Sequence, residues 1–151
     1  MAERDADRRF LDAAIEEART GLAEGGVPIG AALVVDGGIV ATGRNRRVQL
    51  GSVIRHGETD CLENAGRLRG SVYARATMYT TLSPCHMCTG SILLYGIPRV
   101  VLGENRTFTG AEDTLRAHGV EVVNLDSEEC AALMREFIGA HPDIWNEDIG
   151  K

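Results

Sequence analysis

"TMYTTLSPCHMCTGSILLYG", residues 77–96, followed after Ile97 and Pro98 by "RVVLG" at 99–103, is the stretch on which the fold turns. Thr77 to Leu82 is rich in β-branched and aromatic residues and predicts a strand. Pro84 sits where a first helical residue commonly sits, and the run from Cys85 carries a helix to Gly96. "RVVLG" then predicts a second short strand, so the unit reads strand, helix, strand, a crossover that joins parallel neighbours. Toward the C-terminus the alternation continues with a helix over 110–119, a strand over 120–125 and a helix over 127–141 opened by Ser127 and nearby acids. Toward the N-terminus a helix over 57–70 ends at Gly70, and an irregular stretch separates it from two strands, 31–35 and 39–45. Those strands flank "DGG" and read as a hairpin. Phe10, Leu11, Ala14, Ile15, Ala18 and Leu22 recur at three and four, which marks an amphipathic helix over 5–24 stopped by Gly25 and Gly26. A hairpin followed by alternating helices and strands predicts the α/β class: a three-layer α/β/α sandwich on a central mixed sheet of about five strands.

The 151 residues have the usual size of one domain, spanning 1–151. Hydrophobic residues at 44% and charged ones at 25% match an ordinary globular chain, which argues against disorder. "MAERDADRRF" lacks the apolar core of a signal peptide, and no run approaches the roughly 18 apolar residues of a membrane span. A cytoplasmic protein with no membrane partner is expected. In that reducing compartment Cys61, Cys85, Cys88 and Cys130 read as metal-binding, catalytic or buried rather than as disulfides. A net charge of −6 disfavours a nucleic-acid partner, because domains that bind polyanions are typically basic. A small-molecule partner fits better.

Cys85 and Cys88 lie three apart at a helix start, so both sulfurs can reach one ion, and the partial positive charge of the helix end favours thiolate. A catalytic zinc usually takes three protein ligands. His56 supplies the third, and with Glu58 two residues on, the set completes the H-x-E…P-C-x-x-C signature of zinc-dependent base deaminases. Residues two apart point about 200° from each other on an ideal helix, so His56 must precede the helix for both to face the metal. His86, about 100° from Cys85, is not expected as a ligand. Two thiolates and one imidazole leave zinc a Lewis acid able to activate water, and Glu58 beside it can carry protons. Each half of the motif is weak alone: C-x-x-C after a strand is also the layout of a thioredoxin-type redox site, or half of a zinc ribbon. Cys61 and Cys130 stand alone on apolar helix faces and read as core.

"EGGVPIGAALV", "HGE", "LENAGRL", "YTTLSPCHMCTG", "YGIPRVVLGEN" and "DIWNEDIG" together resemble the fungal-type cytosine deaminases of the cytidine/deoxycytidylate deaminase superfamily over nearly the whole chain. Gly57, between the His and the Glu, stands where many tRNA adenosine and cytidine deaminases carry alanine. The resemblance implies a homodimer with one zinc per chain that hydrolyses free cytosine to uracil and ammonia, a step of pyrimidine salvage. It also implies that Asn45 and Asp148 read the ring edge opposite the amine. Gly57 would offer its N–H, Ser83 its carbonyl and Cys85 its N–H to the substrate, while Ile29, Leu82, Phe108 and Trp145 wall the ring. Ile29 and Leu82 read equally as ordinary core, and Asn45 as a turn residue. Trp145 and Asp148 belong either to a lid or to an unanchored tail. His86 stands in place of an aspartate of that pattern and Arg55 in place of an apolar residue, which opens substrate breadth toward isocytosine, 5-substituted cytosines or amino-triazines. Rival readings are a tRNA adenosine deaminase, with Arg44, Arg46 and Arg47 on phosphates rather than in a solvated loop, and a guanine deaminase. A structural zinc protein is a third, against which Glu58 speaks.

Overall fold

Five strands form one sheet in the computed structural model, which describes residues 2–151. They are β1 (Gly30–Val35), β2 (Gly38–Arg44), β3 (Ala76–Leu82), β4 (Arg99–Glu104) and β5 (Glu121–Asn124), in the order β2-β1-β3-β4-β5. Asp36 and Gly37 both take positive φ, 51° and 79°, which turns β1 into β2 with the twist of the strands, and Val35 pairs with Gly38. β1 is antiparallel to β2 and to β3, while β3–β4 and β4–β5 are parallel. The helices are α1 (Ala2–Ala23), α2 (Arg47–Leu50), α3 (Gly57–Ala65), α4 (Gly70–Tyr73), α5 (His86–Tyr95), α6 (Glu112–Ala117), α7 (Glu128–Ala140) and α8 (Pro142–Asp148).

Neighbouring residues of the central strands point to opposite faces, and both faces are apolar, as a sheet covered on both sides requires. Ala31, Leu33, Met78 and Val100 pack with Cys61 of α3, Ile92 of α5 and Leu115 of α6. Ala32, Val34, Tyr79 and Val101 pack with Phe10, Leu11, Ala14 and Ile15 of α1 and Cys130 of α7. The expected three layers and mixed sheet are therefore present, and Cys61 and Cys130 are core residues.

The differences lie at helix ends and in three short helices, α2, α4 and α8, that the sequence did not predict. Pro84 is not the first helical residue, because Cys85 remains extended (φ −69°, ψ 178°) and α5 starts at His86. α3 stops at Ala65 rather than Gly70, because Gly66 turns away at φ 80°, and Gly70 opens α4 instead of ending a helix. Leu22, assigned to the apolar face of α1, is exposed. The expected cap of α7 is present, with the Ser127 side chain accepting from the Cys130 N–H at 3.2 Å.

Candidate active site

The site residues gather where β3 ends and α3 and α5 begin, the edge at which open α/β sheets present helix starts to a ligand. His56 is the extended residue before α3 (φ −74°, ψ 170°), as the two-residue spacing to Glu58 demanded. Thr59 fixes it there by accepting the His56 N–H at 2.9 Å. Cys85 holds the equivalent place before α5, so each of the two helices begins with a metal-binding side chain.

The geometry fits zinc. His56 Nδ1 lies 3.4 Å from Cys85 Sγ and 3.7 Å from Cys88 Sγ. Two ligand atoms on a tetrahedral zinc, each 2.0–2.3 Å from the ion, stand about 3.5 Å apart. His56, Cys85 and Cys88 form the group able to hold one metal ion among the described residues, and His86 is exposed outside it. The donors also carry the right charges. Its hydrogen bond with Cys88 foremost, and that with His56, hold the Cys85 thiol down to about 4. Burial works against a charged His56, yet the Cys85 bond and the carboxylates of Asp148 and Glu58 push it up to about 9. A bound metal ion would take the place of that proton, since a ligating imidazole must be neutral.

Glu58, 4% exposed, faces the same point, and burial above all, then the charge of Cys85, pushes its carboxyl up to about 7. His56, Glu58, Ser83, Cys85 and Asp148 line one cavity of about 20 Å³ with Ile29, Leu82, Phe108 and Trp145. Asn45, Gly57 and Cys88 adjoin it. Asn45, fully buried, donates from Nδ2 to Asp148 Oδ1 at 2.8 Å, and Asp148 Oδ2 lies 3.4 Å from His56 Nε2. Burial, opposed by these neighbours, raises the Asp148 carboxyl. Gly57 adjoins Ile29 so closely that a Cβ there would stand 3.3 Å from Ile29 Cγ2. Phe108 and Trp145 meet edge to face, centroids 5.8 Å apart.

Ile29, Leu82 and Trp145 are at once walls of this cavity and members of a packed cluster with Val27, Met134 and Phe137, so the core and pocket readings coincide. The tail is helical and packed. The solvated-loop reading of three arginines is corrected. Arg44 pairs with Glu17 and Glu24 at 2.9 Å, Arg46 with Asp60 at 3.1 Å, and Arg47 donates to the Val53 carbonyl at 3.1 Å while lying 3.8 Å from Asp148. Ile149 also lines the cavity, and Glu112, 4% exposed, accepts from Ser83 Oγ at 2.6 Å and commits that side chain to the scaffold. Sequence reasoning missed both. An isoleucine in a tail and an acid at a helix start carry no local signal of a site.

Residues 4–104 match the family model described as the cytidine and deoxycytidylate deaminase zinc-binding region. The chain is 52% identical to the cytosine deaminase of Candida albicans over 96% of its own length and 97% of that protein. It is 34% identical to the tRNA-specific adenosine deaminase of Bacillus subtilis, with 87% and 88% covered. Among solved structures, a guanine deaminase from Nitrosomonas europaea shares the fold at a TM-score of 0.71 and 22% identity, covering 86% of this chain and 83% of that one.

Proposed function

Because the chain belongs to the cytidine and deoxycytidylate deaminase family, we propose that it hydrolyses free cytosine to uracil and ammonia, with zinc held by His56, Cys85 and Cys88. Zinc bound there supplies Lewis acidity and eases ionisation of water near neutral pH. Glu58 moves the protons: it accepts one from water and passes it to the ring nitrogen as the water oxygen bonds to the ring carbon, then takes the remaining proton of that oxygen and delivers it to the amine, whose C–N bond breaks to release ammonia. Burial, the main cause that raises the Glu58 carboxyl in the metal-free site, favours a group that can hold a proton as well as release it.

The observation that carries the choice of substrate is the buried pairing of Asn45 Nδ2 with Asp148 Oδ1 at 2.8 Å. It sets a donor beside an acceptor, complementary to a ring carbonyl next to a ring N–H. A free base has that N–H, whereas a nucleoside carries sugar there. The Gly57 N–H adds a donor to the carbonyl, the Ser83 carbonyl accepts from the amine, and the Cys85 N–H faces the reacting oxygen. Ile29, Leu82, Phe108 and Trp145 sandwich the ring and exclude water, and α8 is the lid.

The protein acts as one domain, a cytoplasmic homodimer working on a small nucleobase rather than on nucleic acid. Ile54, Leu94 and Tyr95, exposed around one groove, support a second copy on that face. Arginines already occupied by carboxylates, on a chain of net charge −6, support the exclusion of nucleic acid. Arg55, which points to Asp60 at 2.6 Å, and His86, exposed, both lie off the cavity lining, so neither substitution argues for a substrate other than cytosine.

The test is kcat/KM of the zinc-loaded protein on cytosine, isocytosine, cytidine, guanine and an adenosine-containing tRNA anticodon stem. Cytosine should exceed cytidine by on the order of 10⁴, because the nucleoside leaves a buried carboxylate unpaired. Equal turnover of cytidine, or activity confined to guanine or tRNA, overturns the reading.

A further inference from the structure

Asp60 sits on α3, one turn beyond the residues that bind metal and move protons, and its carboxylate is completely buried. Oδ2 accepts the Arg44 N–H at 3.0 Å and Arg46 Nε at 3.1 Å, and Oδ1 accepts Arg55 Nη1 at 2.6 Å. These donors bracket the site: Arg44 and Arg46 flank Asn45, and Arg55 directly precedes His56. A main-chain bond from the Arg46 N–H to the Arg55 carbonyl, 3.0 Å, closes the same loop.

Other polar bonds hold the loop too, with Arg47 donating to the Val53 carbonyl at 3.1 Å and Gln49 to Glu24 at 3.2 Å, but Asp60 is the buried group on which its two ends converge. No residue from 46 to 55 is buried, and Val48, Leu50, Val53 and Ile54 face outward. Within one chain, apolar packing therefore does not set the position of this segment, and polar bonds do. Charge-assisted bonds to a carboxylate shielded from water are the strong ones, and loss of one partner leaves buried charge uncompensated. Gly43 permits the approach, since a Cβ there would fall 2.3 Å from the Cys61 N atom on α3.

We propose that Asp60 is a positioning residue that fixes the distance between the ring-reading Asn45 and the His56–Glu58 helix start. The proposal rests on the reading of Asn45 given above. Asp60 touches neither substrate nor metal; it acts through the two segments it fastens. Its loss should therefore weaken binding of the base more than the proton transfers, because Glu58 and the three metal-binding side chains are held by α3 and α5 themselves.

The experiment compares zinc-loaded wild type with Asp60→Ala and Asp60→Asn, by cytosine kinetics, zinc content and amide hydrogen exchange. In Asp60→Ala, KM for cytosine should rise roughly tenfold or more while kcat changes by less than about threefold and zinc stays bound. Asp60→Asn keeps an acceptor for the Arg44 N–H and should fall between. Exchange at the amides of Arg44, Asn45 and Arg46 should speed up in Asp60→Ala while Ala32 and Met78 in the sheet stay protected. An unchanged KM in both variants overturns the proposal, and so does a loss of zinc with kcat and KM collapsing together, which marks a purely structural role. If Asp60→Ala does not fold, Asp60→Asn decides by the same criteria. If wild type does not turn over cytosine, the functional reading fails, and the exchange data alone decide the clamp.

Discussion

Glu58 is the residue in which local sequence and burial combine most directly. It stands two positions after His56, and because His56 is extended rather than helical both side chains turn to one point. Glu58→Gln keeps the shape and all three metal-binding side chains but cannot carry protons. Turnover should fall at least about 10²-fold with zinc content unchanged. Loss of zinc with the glutamate, or activity within about tenfold of wild type, refutes the role. Burial also makes Glu58 a pH-dependent element of stability. Its folded pKa of about 7 lies above the ordinary 4.5, so folding favours the protonated carboxyl. That contribution is complete below pH 4.5 and is lost as pH rises through 7. In metal-free protein, wild type should lose up to roughly 3 kcal/mol relative to Glu58→Gln between pH 4 and 8. Urea unfolding at the two pH values measures it, and parallel behaviour of the two proteins rejects it.

At the scale of elements, α8 is the piece that brings Trp145 and Asp148 to the cavity wall. A seven-residue helix is not stable alone, so its conformation depends on what it touches. Trp145, 6% exposed, meets Phe108, and Asp148 accepts from Asn45 at 2.8 Å. The space beneath, about 20 Å³, is the size of roughly one water, so a planar base requires the walls to part. Deleting residues 143–151 should nearly eliminate cytosine turnover while zinc and the folded core remain, as metal analysis and circular dichroism would report. Undiminished turnover would remove the lid. The residues of "DIWNEDIG" signalled a specific tail, but the helix was not legible, because seven residues are too few for a periodic apolar pattern.

Across the whole molecule, the site joins the end of β2, the starts of α3 and α5, the loop carrying Phe108, and α8, and zinc would strengthen the contact that His56 makes with Cys85 and Cys88 between the starts of α3 and α5. Removing it with a chelator should lower the melting temperature by roughly 10 °C, reversibly on adding zinc, as expected when tightly bound metal is withdrawn. An unchanged melting curve would mean that the three side chains hold no metal. That His56, Glu58, Cys85 and Cys88 converge was readable from the chain alone, because they lie in two short motifs at helix starts, where spacing dictates direction. The layers were readable too, since a hairpin followed by alternating strands and helices leaves few ways to bury both faces of a sheet. Spacing could not show that Asn45 meets Asp148, 103 positions away, that Ile149 lines the cavity, or that the arginines beside Asn45 turn inward to acids instead of outward to water. Those outcomes belong to tertiary structure, because the pairing of a buried donor or charge depends on which distant segment packs against it, and no local pattern encodes that partner.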